Sequence, residues 1–258
     1  MNLTVEARPA FAYTAAHELD GKKPTMVFVH GAGLDHSLFG LQSRYFGYHG
    51  WNVLAVDLPG HGRSAGPPVA SISGMADWVS LCLKAVKVEK AAIVGHSMGA
   101  LIALDCASRF TWVERIALLG VAYPMKVSEA FLDAARRNDQ AAYDMETIWG
   151  HAAQVPLGSN PNPGMWMYGD ALARLRRLAP GVLYNDLNAC NGYRLAGNVG
   201  CPVLFVLGKR DMMTPPKMAA DLQTSLAGSR TVSIAPSGHS MMAEAPDATL
   251  DALIGFFS

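Results

Sequence analysis

The stretch from Ala91 to Ala107 constrains this chain most. An apolar run, Ala91-Ala92-Ile93-Val94, leads into Gly95-His96-Ser97-Met98-Gly99, and a helix-compatible run begins at Ala100. A serine on a tight strand-to-helix turn takes a strained backbone conformation, so the residues two before and two after it must be small. Such a turn lifts the hydroxyl above the sheet edge, at the positive end of the next helix. A glycine-rich turn holding an ordinary serine is the plain alternative. The strand before the turn and the helix after it argue against that alternative.

The segments on either side repeat the same strand–helix rhythm. Thr25-Met26-Val27-Phe28-Val29 and Trp51-Asn52-Val53-Leu54-Ala55-Val56 read as buried parallel strands. Val113 to Leu119, Pro202 to Leu207 and Thr231 to Ile234 continue the series. Helices are expected over about 37–48, 72–86, 98–109, 215–226 and 246–257, with Pro246 in a first helical turn. Residues 3–18 predict an antiparallel hairpin turning near Arg8-Pro9. Strands separated by helices imply right-handed crossovers and a mostly parallel, twisted α/β sheet of about eight strands, flanked by helices. The rhythm stops after Val121. Segments 128–149 and 168–178 look helical, with a proline-rich loop from Pro156 to Gly164 between them. The expected organisation is a core of 1–122 and 198–258, with 123–197 as a helical cap inserted after the sixth strand.

Composition narrows the function classes. The chain has 258 residues, half of them hydrophobic, and 21 basic against 21 acidic side chains, so its formal charge is zero. Nothing favours a nucleic acid or a membrane surface as partner. Neither a signal peptide nor a membrane-spanning apolar run is evident. Cys82, Cys106, Cys190 and Cys201 lack metal-ligand spacing and read as free thiols, which points to a cytoplasmic location. Homo-oligomer formation stays open.

A serine hydroxyl needs a base within hydrogen-bond reach and a third group to orient that base. Of the eight histidines, His239 alone follows the last strand in a short polar loop, Ser237-Gly238-His239-Ser240. Asp211 follows strand 202–207 in Gly208-Lys209-Arg210-Asp211. Both loops leave the carboxyl ends of parallel strands, the edge where open α/β sheets place their sites.

These residues make the chain resemble the α/β-hydrolase family over nearly all of its length outside 123–197. Gly95-His96-Ser97-Met98-Gly99 is similar to the family's nucleophile elbow, and His30-Gly31-Ala32-Gly33 to its H-G motif. Asp57-Leu58-Pro59-Gly60-His61-Gly62-Arg63-Ser64 resembles its D-x-x-G-x-G-x-S loop, and Glu244-Ala245-Pro246 the tail of its base loop. The resemblance implies Ser97 as nucleophile, His239 as general base and then acid, and Asp211 as its orienter. It implies the backbone N–H groups of Ala32 and Met98 as oxyanion donors, and requires no metal or organic cofactor.

Other polar residues have plainer readings. His30 and His96 read as supports of their loops. Asp57 reads as the fastener of its own loop, and as the alternative acid. His36, His49, His61 and His151 read as surface or loop residues, Asp35 and Asp105 as solvated carboxylates, and Arg63 as a member of a structural ion pair. Thirteen methionines are present, many of them near the candidate catalytic loops or in 123–197. Methionine fills irregular apolar space. Met125, Met145, Trp149, Trp166, Met212 and Met241 are therefore expected to line an adaptable apolar pocket, with Met165, Met167, Tyr143 and Tyr168 nearby.

The expected activity is hydrolysis of a carboxylic ester, with an apolar acyl or aromatic part, through an acyl-enzyme. Lactonases, C–C bond hydrolases of aromatic degradation, perhydrolases and acyltransferases use the same triad. A ligand-binding or receptor module on the same fold is the alternative of another class.

Overall fold

The computed structural model describes residues 1–153 and 166–258. The strands are β1 (Asn2–Val5), β2 (Arg8–Tyr13), β3 (Thr25–Val29), β4 (Asn52–Asp57), β5 (Ala91–His96), β6 (Val113–Leu119), β7 (Val203–Gly208) and β8 (Arg230–Ile234). They form one eight-stranded sheet in the order β1-β2-β4-β3-β5-β6-β7-β8. The pairings of β1 with β2 and of β2 with β4 are antiparallel. All others are parallel.

Every residue of β3, β4, β5 and β7 is buried, because helices cover both faces of the sheet. Along β5 the side chains alternate between two cores. Ile93 joins the layer of α2 (Ile72–Ala85) and α3 (Met98–Arg109). Ala92 and Val94 join the opposite layer, with Phe46 of α1 (Gly40–Tyr48) and Leu253 of α10 (Pro246–Phe257).

The hairpin turns earlier than expected. Glu6 and Ala7 hold the left-handed conformation of the turn, with φ of 49° and 62°. Arg8 and Pro9 lie in β2 instead, opposite Val5 and Thr4.

Between β6 and β7 the chain runs through α4 (Glu129–Arg136), α5 (Gln140–Trp149), α6 (Met167–Leu175) and α7 (Val182–Gly192). The helical segment expected at 128–149 is two helices. Asn138, with φ 53°, breaks it, and the Asp139 carboxylate caps the second by accepting from the Ala141 N–H at 3.1 Å. The loop expected from Pro156 to Gly164, and Met165, lie outside the described residues. Helix α8 (Ala220–Ser225) follows a 3-10 turn over Pro216–Ala219, and α9 (Met241–Glu244) precedes α10. Among the described residues, no helix is long and apolar enough to cross a membrane.

Candidate active site

Ser97 joins β5 to α3 with φ 53° and ψ −115°, a conformation that L-residues rarely hold. The flanking glycines make the turn geometrically feasible. A Cβ on Gly95 would lie 2.1 Å from the Gly99 carbonyl oxygen, and one on Gly99 would lie 2.0 Å from that of Val29. The small-neighbour rule read from the sequence thus has two concrete causes: the turn packs on itself, and α3 packs on the end of β3.

Asp211 and His239 arrive from the loops after β7 and β8. His239 Nδ1 lies 2.7 Å from Asp211 Oδ2, with both side chains buried. Burial alone would lower the His239 pKa. The Asp211 carboxylate outweighs it, and the imidazole titrates above its ordinary 6.5. Thr214 completes the arrangement. Its backbone N–H donates to Asp211 Oδ1 at 2.7 Å. Its hydroxyl lies 2.8 Å from Asp211 Oδ2, 2.9 Å from the Gly120 carbonyl and 3.0 Å from His239 Nδ1. Gly120, just past β6, has φ 57°, and a Cβ there would strike His239 Nδ1 at 2.9 Å. The acid–base pair therefore needs a glycine at 120.

The other histidines near Ser97 are already engaged. His96 Nε2 donates to the His239 carbonyl at 3.0 Å. Burial and then the His239 charge push the His96 pKa well below 6.5, so its ring is neutral. His30 Nε2 accepts from the Leu58 N–H at 3.1 Å, so Nδ1 carries the proton and donates to the Gly31 carbonyl at 2.8 Å. Burial and then His61 push its pKa down to about 4. Asp57 accepts from the His36 N–H and Nδ1 at 2.8 Å each and from the Arg63 N–H at 2.9 Å. It fastens its own loop, as expected.

The loop His30-Gly31-Ala32-Gly33 is pinned on both sides of Ala32. The Gly33 N–H donates to Asp186 Oδ2 at 2.9 Å, and the same oxygen lies 2.7 Å from His61 Nε2. His61 Nδ1 faces the Pro59 carbonyl at 3.1 Å, so both ring nitrogens meet acceptors. Burial opposes a charge on His61, but Asp186 overrides it and the pKa is raised. Asp186 comes from α7, so a buried ion pair ties that inserted helix to two loops of the sheet edge.

A cavity of ≈ 260 Å³ opens onto Ser97 and Ala32. Of the residues expected to line a pocket, Met125, Trp149 and Met212 do so, together with Phe131, Leu187 and Met213. Met145 packs instead against the neighbouring core, Met241 is fully buried in the opposite core layer, and Trp166 is 77% exposed. Tyr168 stacks on His151, and Met167 is buried elsewhere. Glu146 of α5 and Lys126 also face the cavity.

Several surface expectations are corrected. His61 and His151 are buried, His151 donating its Nδ1–H to the Thr147 carbonyl at 2.8 Å. Asp105 is buried and pairs with Arg109 at 3.0 Å and with the Ser73 hydroxyl at 3.0 Å. Arg63 stacks on Phe11 at 3.9 Å from the ring centroid and, among the described residues, enters no ion pair. Thr214, Gly120 and Asp186 were not legible near the site, and Glu244 only as part of the motif that follows His239. Glu244 Oε2 accepts from the N–H groups of Gly238 and Ala152 at 3.0 Å each, holding the base loop against the chain that follows α5.

The chain is similar to known proteins over most of its length. A profile of the alpha/beta hydrolase family matches residues 26–252. An (E)-2-((N-methylformamido)methylene)succinate hydrolase from Acinetobacter baylyi is 24% identical over 91% of this chain and 90% of its own. A pimeloyl-[acyl-carrier protein] methyl ester esterase from Neisseria meningitidis is 30% identical over 73% of this chain and 76% of its own. The crystal structure of an enol-lactonase from Burkholderia xenovorans superposes with a TM-score of 0.86 at 21% identity, covering 100% of this chain and 99% of that one. The chain is a hydrolase that belongs to the alpha/beta hydrolase family.

Proposed function

We propose that the protein is a serine hydrolase that cleaves carboxylic esters with an apolar acyl or aromatic part. The observation that carries this reading is the strained Ser97 at the mouth of an apolar cavity, beside a buried His239–Asp211 pair. In the mechanism, Ser97 Oγ attacks the ester carbonyl while His239 Nε2 takes its proton. Asp211 holds Nδ1–H and stabilises the imidazolium. The N–H groups of Ala32 and Met98 receive the oxyanion. The Met98 N–H opens α3, where first-turn donors have no partner within the helix. His239 then protonates the departing alkoxide. In the second half it activates water to release the acid. Residues 123–197 act as the cap that shapes the acyl site, and 1–122 with 198–258 as the catalytic core.

A lactone is the second reading, favoured by the likeness to the enol-lactonase; the ring ester opens by the same steps. Turnover of a chromogenic ester and of a lactone by the wild-type protein and by Ser97→Ala tests both. Ser97-dependent hydrolysis is expected. Turnover that survives in Ser97→Ala would reject the serine mechanism, and none by either protein would leave a binding module.

A further inference from the structure

Five buried acids have partners in the fold. Asp57, Asp105, Asp186, Asp211 and Glu244 each accept hydrogen bonds or pair with a cation. Glu146 differs. It lines the cavity with Ser97, yet among the described residues its carboxyl takes part in no hydrogen bond and no ion pair. Glu146 is half-buried, and a carboxylate partly withdrawn from water without a partner is costly.

Among the described residues, the surroundings do not supply a partner. Burial pushes the Glu146 pKa up to about 7, with His239 pulling down and Asp186 pushing up. Lys126 lines the same cavity but is exposed and makes no ion pair with Glu146. The Cys190 thiol is held neutral by burial. The cations on the helices packed on α5 are engaged away from Glu146: Arg136 on Asp133, Arg137 on Asp139, Arg174 on Asp170 and Arg176 on Gln140. Trp149, three residues on along α5, faces the same cavity, and an indole face attracts a cation.

We propose that Glu146 is a substrate-recognition residue that receives an ammonium group at the far end of an otherwise apolar acyl chain of the ester. This rests on Ser97 being the nucleophile of the same cavity. The ammonium supplies the charge-assisted hydrogen bond that the fold withholds from Glu146, while the apolar wall takes the connecting methylenes.

The test compares ω-amino acid ethyl esters with the alkanoate ethyl esters in which a methyl replaces the ammonium. The ratio of their kcat/KM values cancels the titration of His239, which is common to both. For the best-fitting chain length, wild type is expected to favour the amino ester by about tenfold at pH 8, the worth of one charge-assisted hydrogen bond. The carboxylate forms above its pKa, so this preference should fade as pH falls through about 7, the value for Glu146. Glu146→Gln should lack the preference at every pH. A ratio near one in wild type, or a preference that persists in Glu146→Gln, overturns the proposal. Calorimetric titration of the same ester pairs into Ser97→Ala reads recognition without turnover. An ammonium preference there that depends on Glu146 supports the subsite, and its absence rejects it. Failure of the nucleophile reading shows separately, as no Ser97-dependent hydrolysis of any ester.

Discussion

The Thr214 hydroxyl sits where acid, base and the end of β6 converge. Thr214→Val keeps the shape but removes the hydroxyl, whose single proton serves either the Gly120 carbonyl or Asp211 Oδ2, so one acceptor loses its donor. Such a loss costs about 1–3 kcal/mol, so kcat should fall roughly tenfold to a hundredfold in steady-state assays. In the proposed mechanism His239 must be neutral to act as base, and its pKa is raised mainly by Asp211 against the lowering effect of burial. Accordingly, kcat/KM should fall as pH drops through a value above 6.5. Asp211→Asn should depress kcat and move that acid limb to lower pH, both visible in one pH–rate profile. An unshifted limb would mean that another group sets it. The placement of Ser97, Asp211 and His239 after β5, β7 and β8 was legible because each lies in a short motif after a predicted strand. Thr214 and Gly120 were not, because their roles exist only where distant segments meet. The one local signal was Thr214 three residues after Asp211, the spacing of a side-chain-closed turn.

Helix α7 was missed for a physical reason. Asn185, Asn188, Asn191 and Gly192 lower its intrinsic helix propensity. Its buried stripe, Leu183, Asp186, Leu187 and Cys190, has helical spacing, but a carboxylate interrupts the apolar pattern. That carboxylate is what the fold uses to hold Gly33 and His61. Asp186→Asn still offers an oxygen to Gly33 but no charge to His61. Breaking a buried pair costs on the order of 3–5 kcal/mol, so a clear fall in melting temperature is expected. If the pair also positions the oxyanion loop, kcat per folded molecule should drop about tenfold with KM little changed. A purely structural role would lower stability and leave kcat intact. The sign with pH follows from the raised His61 pKa. The contribution of the pair is complete below the ordinary 6.5 of a histidine and fades as pH rises through the higher folded value. At the turn itself, Gly99→Ala would drive a Cβ into the Val29 carbonyl, a backbone group that cannot rotate away. Little folded protein should be recovered, as judged by circular dichroism and gel filtration.

At the scale of the whole molecule, the loops after β3, β5, β6, β7 and β8 gather at one edge of the sheet. The helices between β6 and β7 supply Glu146, Trp149 and Leu187 to the cavity there. The sheet was readable because strands buried on both faces are continuous apolar runs. Between β6 and β7 the helical segments 128–149 and 168–178 were readable too, but which of their side chains face the cavity was not, since those answer to the site below them as much as to a core. Trp166 shows the limit of composition: an aromatic residue in that region, expected in the pocket, stands in solvent. The central claim is that Ser97 forms the covalent bond. Intact-mass measurement after exposure to a fluorophosphonate, with peptide mapping, tests it most directly. One adduct on Ser97 in the wild-type protein, absent from Ser97→Ala and reduced at least a thousandfold in rate in His239→Ala, is the predicted result. An adduct elsewhere, or equal labelling of Ser97→Ala, would contradict it.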